Sequence, residues 1–306
     1  MLHFFYLNTL FYKNAIQNKY FTKNSKDMIT RRSFITKSAA AAAAAVVAPS
    51  IIGGEKTYGI PPAPPSVLNG KRVLFVWGGW MGHEPDKCRD IFVPWMESEG
   101  AKVIVSDTLD AYINNDLKND FDLIVQAWTQ GQINRKQEAA LLSAVKETGV
   151  GLAGWHGGTG DSFRNNVEYQ FMVGGQWVAH PGNVVDYTVN IVDKKDEITK
   201  GLSDFDMKSE QYFMHVDPNV KVLATTTFPS DHADWIGGSI VPVVWKKAYG
   251  KGRIFYSSLG HVATDFNVPE ALEITKRGLR WASLSKFEPM EKWIQPAYKD
   301  HGKRKF

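Results

Sequence analysis

The sequence is very poor in cysteine: Cys88 is the only one among 306 residues. A single thiol cannot form a disulfide framework within the chain, and it cannot supply the paired thiolates that hold structural zinc. Cys88 also lies in a segment that predicts a helix, away from the glycine-rich stretch around residue 156. Acid–base or metal chemistry in this chain must therefore come from histidines and carboxylates.

Two features typical of nucleic-acid and nucleotide partners are also missing. The formal net charge of +4 arises in residues 1–53, which hold seven of the 36 Lys and Arg but only one of the 32 acidic residues. The remainder carries 29 basic and 31 acidic residues, so no basic face for nucleic acid is expected. The glycine cluster at 157–160 lacks the lysine of a P-loop and is not a full dinucleotide fingerprint, which argues against a bound nucleotide.

The sequence has no hydrophobic run long enough to cross a bilayer. The run Ala39–Ala48 has ten residues, mostly alanine, whereas a spanning helix needs about 20. It follows the basic pair Arg31-Arg32, with Phe34 and Lys37 behind that pair, and the whole resembles the twin-arginine export signal more than an alanine-rich helix of a folded domain. No cysteine follows the run, which excludes a lipid anchor. We therefore expect export to the periplasm, without a stable membrane anchor.

Composition divides the chain into four parts. The segment 60–65 contains four prolines, which is typical of a stiff, extended linker. We predict an N-terminal extension and signal peptide at 1–53, a proline-rich linker at 54–70, an α/β domain at 71–285 and a tail at 286–306.

Strand and helix patterns alternate through the first half of the domain. Short apolar runs predict strands at 72–77, 102–106 and 123–127, and apolar residues at helical spacing predict helices at 86–99 and 134–148. This rhythm is typical of a mostly parallel sheet covered by helices on both faces. The second half is richer in strands, predicted at 184–192, 220–227, 240–245 and 253–258, before a final helix at 269–283.

The domain is organised around the stretch Gly154-Trp155-His156-Gly157-Gly158. Glycines on both sides of one side chain, between an apolar run and a helix start, are typical of a nucleophile elbow, in which the middle residue projects at the carboxyl end of a sheet. That residue is His156, which cannot form an acyl-enzyme but can act as a base or a metal ligand. The alternative is a glycine-rich turn with an incidental histidine.

Three histidines share the same relation to predicted strands. His83, His156 and His261 each follow the carboxyl end of a strand, and these ends meet at one edge of a parallel sheet. We therefore expect the three imidazoles to converge, although each one alone would be read as a surface or hydrogen-bonded histidine. His180 and His232 lie in loops, and His180 can fold over the same edge.

A carboxylate would complete such a site. Glu210, in a polar segment between strands, is the first candidate, and Asp265, close to His261, is the second. Imidazoles with one carboxylate suit a divalent metal such as zinc or manganese, and without metal they can transfer protons beside a carbonyl or to a glycosidic oxygen. Both alternatives stay open, with His156, Glu210 and His261 as catalytic residues and His156, His180 and Glu210 as metal ligands.

Tryptophans cluster in the sequence near these loops. Flat aromatic rings bind the apolar faces of sugars while neighbouring polar groups take the hydroxyls, although tryptophan in a core is the competing interpretation. The predicted substrate-binding residues are Trp80, Trp128, Trp155 and Trp177, together with His83, Tyr212 and Asp265.

The order of these segments resembles one known family. An early loop histidine, the Gly-Trp-His-Gly elbow, Gly174-Gly175 followed by His180-Pro181, Glu210-Gln211-Tyr212 and Gly260-His261 occur in the order found in trehalose-utilisation (ThuA-like) proteins. The resemblance runs over about 72–282. It implies a flavodoxin-like α/β fold similar to that of class I glutamine amidotransferases, with histidine in place of the cysteine nucleophile.

The resemblance also implies a carbohydrate substrate. The expected function is modification of trehalose, related glucosides or their 3-keto derivatives, the keto forms being supplied by a partner sugar dehydrogenase. Hydrolase, lyase and isomerase chemistry all remain open, and the alternative is a carbohydrate-binding protein without catalysis. Glutamine amidotransferase activity is disfavoured, because Cys88 is not at the elbow.

Overall fold

The computed structural model describes residues 66–289. The predicted signal peptide, the linker up to residue 65 and the tail beyond residue 289 lie outside the described residues. Leu68 was assigned to the linker, but its side chain is fully buried in the core, so the domain begins a few residues earlier than predicted. Between residues 66 and 289, no helix has both the length and the apolar character that a membrane span requires.

A sheet of nine strands forms the centre of the described domain. Its order is β2-β1-β3-β4-β11-β10-β9-β6-β7, with β5 and β8 paired separately. Neighbours from β2 to β11 are parallel, and their order is that of flavodoxin-like sheets. The strands from β11 to β7 pair antiparallel. The strands are β1 Arg72–Gly79, β2 Lys102–Ser106, β3 Leu123–Thr129, β4 Gly151–Trp155, β5 Gly175–Ala179, β6 Val184–Ile191, β7 Phe205–Glu210, β8 Phe213–Val216, β9 Lys221–Thr227, β10 Ile240–Tyr249 and β11 Gly252–Ser257.

Helices cover both faces of this sheet, which confirms the predicted fold class. The helix α4 begins at an Asn134 capping box, and Gly149 ends it in the left-handed conformation. Apolar residues of α1 and α7 pack in the core on one face, and those of α4 and α6 pack in the core on the other. The helices are α1 Pro85–Ser98, α2 Ala111–Asn114, α3 Leu117–Asp120, α4 Arg135–Thr148, α5 Gly157–Gly160, α6 Val167–Val173 and α7 Pro269–Ser283.

The sheet differs from the sequence prediction at Glu210. This residue was expected in a polar segment between strands, but it is the last residue of β7. The strand Phe205–Glu210 alternates buried and exposed side chains over its first five residues, as a half-buried edge strand does. Val184 of β6 pairs with Glu210, so the carboxylate is held by regular strand pairing and not by a loop.

Candidate functional site

The elbow at His156 has the strained backbone that its glycines predicted. His156 joins β4 to α5 with φ of +43°, a region that residues other than glycine seldom adopt. Its N–H donates to the Ser257 carbonyl at 2.7 Å, and the Tyr256 hydroxyl donates to its carbonyl at 3.1 Å. A Cβ on Gly154 would lie 1.9 Å from Thr159 Oγ1, so only glycine fits at the approach to the turn.

Three imidazoles surround one oxygen of Glu210. The Oε2 atom lies 3.1 Å from His156 Nε2, 3.2 Å from His261 Nδ1 and 3.7 Å from His83 Nε2. One ligand atom from each of the four residues lies within 4.8 Å of every other. The structure thus brings together His83, His156 and His261, as their positions after β1, β4 and β11 predicted. We call these four residues the His3–Glu cluster.

Two of the three imidazoles, those of His156 and His83, are oriented by a contact on the side away from Glu210. His156 Nδ1 lies 2.8 Å from the Ser258 carbonyl, and His83 Nδ1 lies 2.9 Å from the Thr129 hydroxyl. Neither partner was predicted from the sequence, although Thr129 stands at the carboxyl end of β3, where such partners are expected. The contacts aim the opposite ring nitrogen of each histidine at Glu210.

Asp265 supports the cluster instead of joining it. The His261 N–H donates to Asp265 Oδ2 at 2.9 Å, and the Ser209 hydroxyl donates to the same oxygen at 2.6 Å. Burial raises the pKa of Asp265, and these hydrogen bonds oppose the shift only in part. Asp265, predicted to bind substrate, therefore fixes the backbone of His261.

Burial and the imidazoles set the charges of the cluster. Burial lowers the pKa of His156 to about 3, despite the contact with Glu210, so this ring is neutral at pH 7. Burial alone would raise the pKa of Glu210, but the three imidazoles outweigh it and hold that pKa well below its usual range. A neutral imidazole beside an ionised carboxylate is the pair of protonation states that metal ligation requires.

His180, predicted as a metal ligand, lies at the edge of the cluster. Its Nε2 is 3.8 Å from Glu210 Oε1, the carboxylate oxygen that faces away from the other three histidines. The group that could hold a metal ion includes His83 and His261, together with His156 and Glu210. Tyr212, predicted to bind substrate, stacks on His156 with ring centroids 3.8 Å apart, and its ring is buried between the cluster and the core.

The predicted tryptophans divide into two groups. Trp155, predicted to bind substrate, is 3% exposed and packs against Phe92 and Phe266 in the core, which is the competing interpretation given for the tryptophans. Successive residues of a strand point to opposite faces, and His156 takes the open side. Trp128 is partly buried and packs so closely over Gly78 that a Cβ there would lie 2.7 Å from its ring.

Trp80 lies beside His83 of the cluster, and Trp177 lies beside His180 at its edge. Trp80 is 48% exposed and meets His83 edge to face at 4.7 Å. Trp177 lies 5.5 Å from the His180 ring, and the Arg164 guanidinium lies 4.4 Å from its centroid. Arg164 also donates to Asp161 at 2.8 Å, a pair that the sequence analysis missed although the two residues are only three apart. These contacts define an aromatic rim at the open side of the cluster.

Unpaired buried nitrogens gather in the same region. Among residues 66–289, the buried side-chain atoms without a hydrogen-bond partner include His261 Nδ1, which lies 3.2 Å from Glu210, His180 Nδ1 and the indole nitrogen of Trp177. Buried polar atoms are normally paired, so such a group is expected where a ligand completes the site. Ring nitrogens and indole N–H groups suit a metal ion or the oxygen atoms of a polyhydroxylated ligand.

Comparison with known proteins agrees with this architecture. A solved ThuA-like protein from Parabacteroides merdae matches 72% of this chain and 93% of its own length, with 17% identity and a TM-score of 0.58. Another, from Bacteroides uniformis, matches 73% of this chain and 95% of its own length, with 16% identity and a TM-score of 0.60. Among curated proteins, none matches the chain significantly.

The family itself is identified by sequence. A family model described as trehalose utilisation (ThuA) matches residues 72–282, which include all four residues of the His3–Glu cluster. The match covers most of the chain and coincides with the span over which the motifs predicted the resemblance. The chain therefore belongs to the ThuA family.

Proposed function

We propose that this chain is an exported enzyme that acts on trehalose, a related glucoside or a 3-keto derivative of one, using a divalent cation at the His3–Glu cluster. The observation that carries the proposal is the approach of three imidazole nitrogens to one buried carboxylate oxygen. Membership of the ThuA family supports the substrate class. A dehydrogenase that oxidises the sugar at C3 would be the partner that supplies the keto form.

The tautomer of the neutral His156 ring is the first reason to expect a cation. The Ser258 carbonyl can only accept, so the contact at 2.8 Å requires the proton of the neutral ring to be on Nδ1. Nε2 then carries a lone pair and faces Glu210 Oε2 at 3.1 Å. Two acceptors at this distance repel unless a proton, as in the hydrogen bond that lowers the pKa of Glu210, or a metal cation lies between them. A divalent cation bound by both atoms removes the repulsion.

The distances suit a common ion. Nitrogen and oxygen ligands about 2.0–2.2 Å from a tetrahedral zinc lie roughly 3.3–3.5 Å from each other. The contacts to Glu210 Oε2, from 3.1 to 3.7 Å, bracket that separation. Three imidazoles and a carboxylate form a donor set for zinc or manganese, and a substrate oxygen or water would have to enter as a fifth ligand or replace one of these four donors.

The residues around a bound cation would then have separate roles in catalysis and substrate binding. A bound divalent cation polarises a sugar oxygen or lowers the pKa of a bound water. His180 lies outside the four donors, at the rim, and imidazole is the usual group for proton transfer beside a carbonyl or to a glycosidic oxygen. Trp80 and Trp177 would hold the sugar ring over the cluster by their flat faces.

The test combines metal analysis with substrate turnover. We expect about one zinc or manganese per chain in protein purified without chelator, and turnover of a glucoside or its 3-keto form that chelation abolishes. His156→Ala and Glu210→Gln should lose metal and turnover, while sugar affinity stays within about tenfold. His215→Ala is the matched control, because His215 is an exposed histidine of β8 outside the cluster.

The outcomes separate the alternatives. Sugar binding by the parent protein without turnover of any glucoside would favour a carbohydrate-binding protein. Turnover that persists after chelation, but is lost in both variants, would leave acid–base catalysis and remove the cation. If neither variant changes metal content or turnover, the His3–Glu cluster is not the active site.

A further inference from the structure

A cavity of about 410 Å³ lies next to the His3–Glu cluster, and neither the cluster nor the aromatic rim uses it. Two chain neighbours connect it to the cluster, because Pro181 follows His180 and Gln211 follows Glu210. Val184, which also lines the cavity, pairs with Glu210 across β6 and β7. Lining residues of the cavity are therefore direct neighbours, in the chain or across a strand pair, of Glu210 and His180.

The walls of the cavity combine carboxylates with apolar side chains. Asp186 and Asp231 offer acceptors, whereas Phe228 and Ile236 form apolar surface. No Lys or Arg is among its lining residues, which disfavours a phosphorylated or carboxylated ligand. Carboxylates can accept hydrogen bonds from the hydroxyl groups of a neutral sugar, and the neighbouring apolar surface can contact its C–H faces. The volume of the cavity is within the range of small-molecule sites.

An exposed tryptophan stands beside this cavity. Trp235 is 87% exposed, on the short 3-10 turn Asp234–Ile236 that also carries the lining residue Ile236. An indole this exposed is unusual on a folded domain, because its burial is strongly favourable. A flat, exposed ring one residue away from the lining of a sugar-sized cavity offers a platform on which a pyranose can stack.

The loop that carries the tryptophan is packed against the segment that carries His180. A Cβ on Gly182 would lie 2.4 Å from His232 Cδ2, and Gly182 has φ of +88°. Only glycine permits this approach, so the loop that contains His232 and Trp235 packs directly against the segment that follows His180. A ligand spanning both would be rigidly positioned.

We propose that this cavity is a second saccharide subsite, which binds the hexose unit of a disaccharide that lies beyond the unit at the His3–Glu cluster. The proposal rests on the proposed function, because it assigns a neutral disaccharide as the substrate class of that same site. This subsite would give Asp186, Asp231 and the exposed Trp235 indole a common role.

The experiment compares trehalose with methyl α-glucoside, each also as its 3-keto form, in the full chain. Trp235→Ala and Asp231→Asn should raise KM or Kd for the disaccharide by about tenfold more than for the monoglucoside, as expected when a stacking contact or a charge-assisted hydrogen bond is lost. Both residues are exposed, so folding is expected to be preserved. Ile104→Ser, at an exposed position of the opposite edge strand β2, is the control and should change neither value.

The possible failures are distinguishable. Equal losses for both sugars, or no loss for either, would overturn the subsite and leave the proposed function in place. A parent protein that neither binds nor turns over any of the four saccharides would overturn the proposed function, and the subsite with it. A disaccharide preference that disappears in Trp235→Ala but persists as binding in His156→Ala would support the subsite independently of catalysis.

Discussion

At the scale of single residues, the position of His83 depends on a missing side chain. A Cβ on Gly157 would lie 2.3 Å from His83 Cε1 and 3.0 Å from the Tyr212 hydroxyl, although Gly157 itself is helical and does not need glycine for its backbone. We predict that Gly157→Ala displaces His83 and weakens binding of zinc by about tenfold or more, with little change in the free energy of unfolding. Calorimetric titration with zinc and urea denaturation measure the two effects.

A matched comparison makes this prediction specific. The His215→Ala variant removes an imidazole outside the cluster and should bind zinc as the parent does. Zinc affinity in Gly157→Ala equal to that of the parent would show that His83 either moves freely or is no ligand.

The single cysteine is expected to be chemically silent in the folded protein. Cys88 is fully buried in α1, and burial raises the pKa of its thiol to about 12. The thiolate is the reactive form, so almost none of it exists at pH 8. We predict no reaction with a disulfide reagent in native protein and one equivalent after denaturation. Rapid stoichiometric labelling of native protein would contradict the buried placement.

The site residues show what a sequence can and cannot predict at this scale. His83, His156 and His261 were predictable because each follows a strand, and parallel strands end at one edge. The direction of a side chain at such an end was not predictable, since Trp155 and His156 are neighbours yet one is core and the other is in the site. Asp265 was correctly located near His261, but its contact is with the backbone and not with the imidazole.

At the scale of elements, the helices and strands that could be predicted are those with a clear pattern in their own sequence. The helix α4 has a capping box and a terminal glycine, and β1 and β3 are continuous apolar runs, so all three were predicted within a few residues. The strands β5, β7 and β8 were not, because they are only four to six residues long and contain glycine, histidine or charged residues. Such strands depend on pairing with partners distant in sequence, which no local pattern records.

A buried ion network ties the antiparallel strands to a loop. Asp196 accepts from Lys246 of β10 at 2.7 Å and from Lys221 of β9 at 2.8 Å, and both Asp196 and Lys246 are buried. We predict that Asp196→Asn lowers the free energy of unfolding by about 3–5 kcal/mol, because it leaves the Lys246 ammonium buried beside a neutral amide. Urea denaturation at pH 7 measures the loss. Asp107→Asn, at an exposed position, should cost no more than about 0.5 kcal/mol.

The same network makes stability depend on pH. Burial alone would raise the pKa of Asp196, but the two lysines outweigh it and the pKa is lowered. A carboxylate with a folded-state pKa below its unfolded value of about 3.9 stabilises the fold above that pH, and this contribution is lost as pH falls through the folded pKa. The stability gap between parent and Asp196→Asn should therefore narrow below about pH 4. A gap that stays constant from pH 7 to pH 3 would rule out this ionisation as its source.

At the scale of the whole molecule, the candidate site takes residues from both the parallel and the antiparallel part of the central sheet. The parallel strands β1, β4 and β11 position the three imidazoles, whereas Glu210 ends β7, at the far edge of the antiparallel strands. Neither half holds the cluster alone. The proposed second subsite lies entirely on the antiparallel side, at β6 and the loop after β9. Chemistry and substrate length would thus be set by separate parts of one sheet.

The predicted export route determines in which compartment the proposed cation would be bound. The twin-arginine route carries proteins that have already folded, so a cation could be bound before export. We predict that changing both Arg31 and Arg32 to Lys keeps the protein in the cytoplasm, because recognition depends on guanidinium groups and not only on positive charge. Fractionation of cells followed by immunoblotting measures the distribution. Changing Lys23 and Lys26 to Arg, upstream of the motif, is the matched control and should leave export unchanged; normal export of the Arg31/Arg32 variant would reduce the pair to an ordinary basic segment.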